Sequence, residues 1–182
     1  MNTNNNLRFR STEENIQQAL FRLLRFNKYE SITIKQLCYE AGINRSSFYS
    51  HYFDINDLMI KTEERLSKSI VKIFDPNKIW KEDVFVNLFE FLKDNKDFYF
   101  AYFNGNNESF MEKTDFMNFV KTVNTVNLCD KFEQRERIYH MAFFGGGLKA
   151  ISKQWILSDC KESPEQMAKI ITNEYKINAN MF

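Results

Sequence analysis

A single glycine, Gly42, separates two helical patterns with room for only two or three residues between them, in the run "TIKQLCYEAGINRSSFYSHYFDINDLM". Thr33 carries the side chain of a helix cap, and Ile34, Leu37 and Ala41 share one face of the short helix that follows. Gly42 supplies the backbone freedom that stops this helix and turns the chain. Asn44 caps a third helix over 45–51, and Asp54 caps a fourth, with Asp57 in the capping-box place where Glu or Gln is usual. Two helices joined by so short a glycine turn cross closely, and the second stands out from the body in the geometry that enters the DNA major groove. Cys38, four residues before Gly42, is small enough for the crossing, while Ile43 and Phe48 plug the gap behind the turn. Arg45, Ser46, Ser47, Tyr49, Ser50 and His51 are left for the outer surface, a set of donors suited to phosphates and base edges. Spacing alone is equally consistent with three packed helices that touch no nucleic acid.

The remainder of the chain also reads as helix. With 5 Gly and 2 Pro in 182 residues, few positions can break one. Ser11 or Thr12 caps a first helix to about residue 27, on which Ile16, Leu20, Leu23 and Leu24 recur at helical spacing. The fourth helix runs to residue 74, where "DPNK" interrupts it. Further helices are expected over 80–95, 98–103, 109–126 and 130–158, and a last one begins at Ser163 with Pro164 in its first position. The expected fold is all-α with about nine helices and no strands. Its expected organisation is a flexible arm over 1–10, a helix-turn-helix domain over 11–53, a connecting helix over 54–74 and a C-terminal regulatory and dimerisation domain over 75–182. Arg8 and Arg10 on the arm either reach into a minor groove or belong to a solvated tail.

Charge and cysteine usage exclude several classes. The 25 Lys and Arg against 24 Asp and Glu leave a net charge of +1, so any polyanion must be met by a local patch. Such a patch exists in the first 53 residues, where seven basic residues face four acidic ones and leave +3. Cys38, Cys129 and Cys160 are too widely spaced for a zinc site or a disulfide framework. The polar start "MNTNNNLRFR" has no apolar run behind it, and no stretch approaches the ~20 apolar residues of a membrane span. A soluble cytoplasmic protein without membrane association is expected.

The quoted run, preceded by one helix and followed by a largely helical chain, resembles the TetR family of bacterial transcriptional regulators. Ala41, Gly42, Phe48, Tyr49, His51, Tyr52 and Leu58 match the family's turn, recognition helix and capped fourth helix. The resemblance implies double-stranded DNA with a palindromic operator as partner. It places Tyr49 and His51 on phosphates, Asn44, Arg45, Ser46, Ser47 and Ser50 near bases or backbone, and Thr33 and Lys35 on the flanking strand. Two positions depart from the pattern: Ser46 stands where Gly is frequent, and Ile55 stands where the family usually places a Lys that holds a phosphate at a helix N-terminus.

In the second half, the resemblance implies a ligand-binding domain that dimerises through its last two helices. The glycines of "FFGGGLKAISKQWI" each cost about 1 kcal/mol relative to Ala inside a helix, which close approach of a partner helix would offset. A break or kink at Gly145 to Gly147 is the other reading. With "CKESPEQMAKII", this tail resembles the C-terminal domain of a Firmicutes branch of the family that includes activators of dihydroxyacetone kinase operons.

The 19 Phe fit either a Phe-rich core or an apolar cavity. Phe89, Phe100, Phe103, Phe119 and His140 are the candidate lining of such a cavity, which would take a small hydrophobic effector. A lone His such as His140 is otherwise an interior hydrogen-bonded residue. No cluster of His, Cys and carboxylates points to a metal, no cofactor motif is present, and GxSxG, P-loop, HExxH and GxGxxG are all missing, so no catalytic residue is expected. The reading is a repressor released by an effector. Its alternatives are an activator, or a helical protein-interaction module or co-regulator with weak or lost DNA binding.

Overall fold

The computed structural model describes residues 3–74, 81–104 and 133–174. The fold is all-α, and among the described residues it comprises eight α-helices and one 3-10 turn. They are α1 (Thr3–Phe26), the turn Tyr29–Ser31, α2 (Ile34–Ala41), α3 (Arg45–Tyr49), α4 (Ile55–Ile73), α5 (Glu82–Asp94), α6 (Lys96–Asn104), α7 (Gln134–Leu157) and α8 (Pro164–Glu174). The chain divides into two compact units, Met1–Arg65 and Leu66–Phe182, and the division falls within α4. The helix expected over 109–126 lies outside the described residues.

In the first unit, α1 packs on α2 and α2 on α3. Ile16, Ala19, Leu20 and Phe21 of α1 meet a core completed by Leu37, Phe48, Tyr52 and Leu58, all of them buried. Cys38 is buried as well, and burial raises its thiol pKa against the pull of Arg45, which keeps it an inert small core group. Ile43 is half-buried behind the turn.

Two expectations for this unit change. The first helix begins at Thr3, so residues 3–10 are helical instead of forming an arm. Thr12, expected as a cap, sits inside α1 and donates its hydroxyl to the Arg8 carbonyl at 2.9 Å. The upstream turns gain a tertiary anchor, because the Phe9 ring stacks on His51 with centroids 3.8 Å apart. The third helix is also shorter than expected, ending at Tyr49 with Ser50 as its C-cap.

In the second unit, α8 packs on α5 and α7 on α6. Phe89 meets Trp155 edge to face at 5.1 Å and Phe85 meets Phe144 at 6.3 Å, so the aromatic stripe of α5 is core against α7. Helix α7 is continuous through Gly145, Gly146 and Gly147, and the expected alternative of a break does not occur. Phe144, Leu148, Ser152 and Trp155 form its buried face, and this packing outweighs the low helix propensity of glycine. After α7, Asp159 and Cys160 both take left-handed backbone, with φ of 63° and 53°. The Cys160 N–H bonds the Trp155 carbonyl at 2.9 Å and closes the helix in a Schellman-type stop without glycine. Ser163 caps α8 as expected: its N–H donates to Gln166 Oε1 at 2.8 Å and its hydroxyl accepts from the Gln166 N–H at 3.3 Å.

Candidate nucleic-acid interface and effector cavity

The sequence builds the helix-turn-helix from local hydrogen bonds. Thr33 and Gln36 form a reciprocal capping box, the Thr33 N–H donating to Gln36 Oε1 at 2.9 Å and the Thr33 hydroxyl accepting from the Gln36 N–H at 3.2 Å. At the other end of α2, Gly42 lies in the left-handed region at φ 66° and ψ 33°. The Gly42 N–H reaches the Tyr39 carbonyl at 3.2 Å and the Ile43 N–H reaches Cys38 at 3.0 Å, which satisfies the last carbonyls of α2. Arg22 on α1 pairs with the Glu40 carboxylate and donates to the Glu40 carbonyl at 3.2 Å, fixing the end of α2 from the other side.

Asn44 then starts α3. Its side-chain oxygen accepts from the Ser47 N–H at 2.8 Å and from the Ser46 hydroxyl at 2.7 Å. Three of the expected interface residues, Asn44, Ser46 and Ser47, therefore also serve to begin the helix. Ser50 donates its hydroxyl to the Ser47 carbonyl at 2.7 Å. Phe48 is fully buried, whereas Tyr49 is 56% exposed, and this contrast between adjacent residues fixes which side of α3 faces outward. Arg45, Ser46 and Ser50 are exposed with Tyr49, as are Thr33 and Lys35 at the start of α2; Ser47 is half-buried.

His51 differs from these residues. It is half-buried, stacks on Phe9, and its Nδ1 is buried with no hydrogen-bond partner among the described residues. Burial lowers its pKa, and the nearby Glu13 carboxylate works in the opposite direction. Tyr52, next in the chain, is buried and joins the core through its hydroxyl, which accepts from Gln17 Nε2 at 3.1 Å and donates to Glu13 Oε1 at 3.3 Å. Burial is the main reason that its pKa rises to about 12.

The corner into α4 is a knot of polar contacts. Asp54 Oδ1 accepts from the Asp57 N–H at 2.8 Å, and Asp57 Oδ2 accepts from the Phe53 N–H at 2.9 Å. The Asp57 carboxylate thus reaches back to the N–H of Phe53, one residue before the cap, where a capping box would take the N–H of Asp54 itself. Lys61, one turn on, donates to Asp57 Oδ2 at 2.9 Å and to the His51 carbonyl at 3.4 Å, with its ammonium 5.4 Å from the Tyr52 ring centroid. The Lys61 bond is the first cause of the lowered Asp57 pKa. Ile55, in the first turn of α4, is half-buried.

Sequence reasoning missed Phe9 and Lys61 as partners of the interface segment. The i, i+4 spacing of Asp57 and Lys61 was a readable signal, since opposite charges at that spacing meet on a helix. Nothing marked Phe9, because its turn of α1 read as an arm. Tyr39 and Phe53 are also unforeseen features of this unit, 88% and 83% exposed on either side of the glycine turn and the α3–α4 corner.

The second unit holds a cavity of about 110 Å³ among the described residues. Leu88 and Leu92 of α5, Tyr99, Tyr102 and Phe103 of α6, and Leu148 of α7 supply most of its wall. Ser67 of α4 and Lys149 and Ser152 of α7 also line it. Of the residues expected to line such a site, Phe103 does so. Phe89 is instead fully buried against Trp155, Phe100 is half-buried outside the lining, and His140 is exposed on α7. Phe119 lies outside the described residues. Among the described residues no group of His, Cys, Asp and Glu is placed to hold a metal ion, and no helix is long and apolar enough to cross a membrane.

The family model of the TetR-type transcriptional regulator C-terminal region matches residues 81–174, more than half of the chain. The chain belongs to the TetR family. Its members are transcriptional regulators. No curated protein sequence matches this TetR-family chain. Among solved structures, it is similar to the dihydroxyacetone kinase operon activator DhaS, with a TM-score of 0.71 and 19% identity over 94% of this chain and 97% of that one. It is similar as well to the fatty acid degradation regulator FadR from Bacillus halodurans, with a TM-score of 0.71 and 14% identity over 92% and 96% of the two chains. A TetR transcriptional regulator from Streptococcus agalactiae 2603V gives a TM-score of 0.61 and 19% identity over 94% and 97%. At such identities the likeness shows a shared fold.

Proposed function

We propose that this TetR-family regulator binds a palindromic operator as a homodimer and represses transcription until a small apolar effector releases it. The observation that carries the DNA-binding part is the outward face of α3. Arg45, Ser46, Tyr49 and Ser50 are exposed on or just after a helix whose other side is locked by Phe48, and exposed Thr33 and Lys35 stand at the start of α2. Arg45 is the base-edge or phosphate donor of this set, and Tyr49 a phosphate donor. With Ile55 in place of a Lys, no contact is assigned to the start of α4.

The first 65 residues act as the DNA-binding unit and the remainder as the regulatory unit, with the cavity as effector site. Differential affinity of the effector for two spacings of the recognition helices is the means of release. Dimerisation through α7 and α8 is supported by a second apolar stripe on α7. Tyr139 and Phe143 are each 75% exposed there, and Gly146 and Ala150 continue the same face at helical spacing.

The test is a salt series with the purified chain and fragments of its own promoter region. The expected result is binding that weakens with salt, and Arg45→Ala weakens it further while lowering the salt slope by about one phosphate equivalent. No binding to any fragment at low salt, with no effect of Arg45→Ala, overturns the DNA-binding reading. An activator is the second reading, favoured by the fold shared with an operon activator. Transcription in vitro from the bound promoter decides between them by its sign.

A further inference from the structure

His51 sits just past the end of α3 without the device that ordinarily orients a histidine. The ring rotation and tautomer of a working imidazole are usually fixed by a hydrogen bond from its second nitrogen. The inner nitrogen of His51, Nδ1, is buried with no hydrogen-bond partner among the described residues, so no such bond sets this ring. The Phe9 ring lies against it instead, with centroids 3.8 Å apart and planes inclined by 27°.

Phe9 belongs to a stripe of α1. Phe9, Glu13 and Gln17 recur every four residues and so share one face of the helix. All three meet the pair His51 and Tyr52. The Tyr52 hydroxyl donates to Glu13 Oε1 at 3.3 Å and accepts from Gln17 Nε2 at 3.1 Å, which leaves Phe9 as the stripe's contact with the His51 ring. The pair is tied in turn to α3, because the Phe48 carbonyl accepts the His51 N–H at 2.9 Å and the Tyr52 N–H at 3.0 Å. Phe9 itself adds little to the core: it is 46% exposed, whereas Ile16, Ala19 and Leu20 further along α1 are fully buried.

We propose that Phe9 is a positioning residue for operator binding, its ring holding the His51 imidazole with Nδ1 inward and Nε2 outward, towards a DNA phosphate. The N-terminal turns of α1 then serve recognition through His51 and not through a DNA contact of the Phe9 ring. This rests on the DNA-binding reading and adds to it a residue that does not touch DNA.

The test titrates the full-length chain into the promoter fragment that the wild type binds best, at fixed salt and pH. Phe9→Ala and Phe9→Leu are each expected to weaken binding about tenfold, the worth of one hydrogen bond to a charged group. Phe9→Tyr is expected to bind within about twofold of the wild type, since only a ring can stack. In a His51→Ala background, Phe9→Ala is expected to change affinity by no more than about twofold, because the side chain that it positions is gone. The free chain carries a signature without DNA. A stacked ring shields its neighbour's protons, so the His51 ring signals in a proton NMR spectrum are expected to move downfield in Phe9→Ala. With 2 His in the sequence, His51→Ala assigns those signals. Comparing Phe9→Leu with Phe9→Tyr at matched helix content keeps loss of the stack apart from loss of the fold. Equal losses from Phe9→Ala in the two backgrounds, full binding by Phe9→Leu, or unmoved His51 signals overturn the positioning role while DNA binding stands. A wild type that binds no fragment overturns the DNA-binding reading, and the role falls with it.

Discussion

The proposed DNA contact and the observed packing of His51 pull in opposite directions. In the proposed role of phosphate contact it would gain from carrying a charge, but it is half-buried and its Nδ1 is buried without a hydrogen-bond partner, which suits the neutral imidazole. Its pKa is accordingly lowered, chiefly by burial, with Glu13 restoring part of it and the Lys61 ammonium held at the His51 carbonyl. A histidine with a folded pKa below its unfolded one contributes stability that is complete above the unfolded value, 6.5, and is lost as the pH falls below it towards the folded value. The urea midpoint of the wild type is therefore expected to drop between about pH 7.5 and pH 5.5 by more than that of His51→Gln. Parallel curves for the two proteins would sink this account. The same residue shows where the sequence is legible and where it is not. The identity and position of His51 matched a known pattern, but its stacking partner lies far upstream, in an Asn-rich stretch that lacks the propensity and capping signals of a helix. Only tertiary contact makes that turn helical.

At the scale of elements, the caps were readable and the joints between helices less so. Thr33, Asn44, Asp54 and Ser163 each accept the N–H that their sequence position predicts, because capping is a matter of three or four adjacent residues. The continuity of α7 through its three glycines was not readable, since it depends on Phe144, Leu148 and Trp155 finding a core elsewhere in the chain. The cavity lining was legible only at Phe103, because helical periodicity does not say which side of an aromatic helix faces core and which faces a void. The corner between α3 and α4 is the joint with most consequence for the proposed DNA binding. Lys61 ties the His51 carbonyl, just past the recognition helix, to Asp57 in the first turn of α4. In the proposed complex it would act through the position of α3 and not as a phosphate contact of its own. Lys61→Met is expected to weaken operator binding without changing the salt slope, in contrast to Arg45→Ala. A slope reduced by about one for Lys61→Met would show that the ammonium leaves Asp57 and meets a phosphate directly.

For the molecule as a whole, the unresolved balance is the surface of α7. Besides the stripe that it buries through Phe144, Leu148, Ser152 and Trp155, α7 leaves Ile138, Tyr139 and Phe143 exposed at 62%, 75% and 75%. Nor do the described residues explain Gly146, since a Cβ added there meets none of their atoms within 4 Å. Intrinsic propensity would favour Ala at such a site by about 1 kcal/mol, and packing against the described residues does not offset that cost. Close approach of a second copy accounts for both features at once, because large aromatic side chains and an absent Cβ on one face let two helix backbones meet. The wild type is thus expected to sediment at twice the mass of one 21.8 kDa chain, and Phe143→Glu at the mass of one. In the Phe143→Glu background, Gly146→Ala should raise unfolding stability by about 1 kcal/mol, whereas in the wild type the same methyl should weaken association. A wild-type mass equal to one chain at micromolar concentration removes the dimer. An equal gain from Gly146→Ala in both backgrounds keeps a dimer only on a face that does not include Gly146.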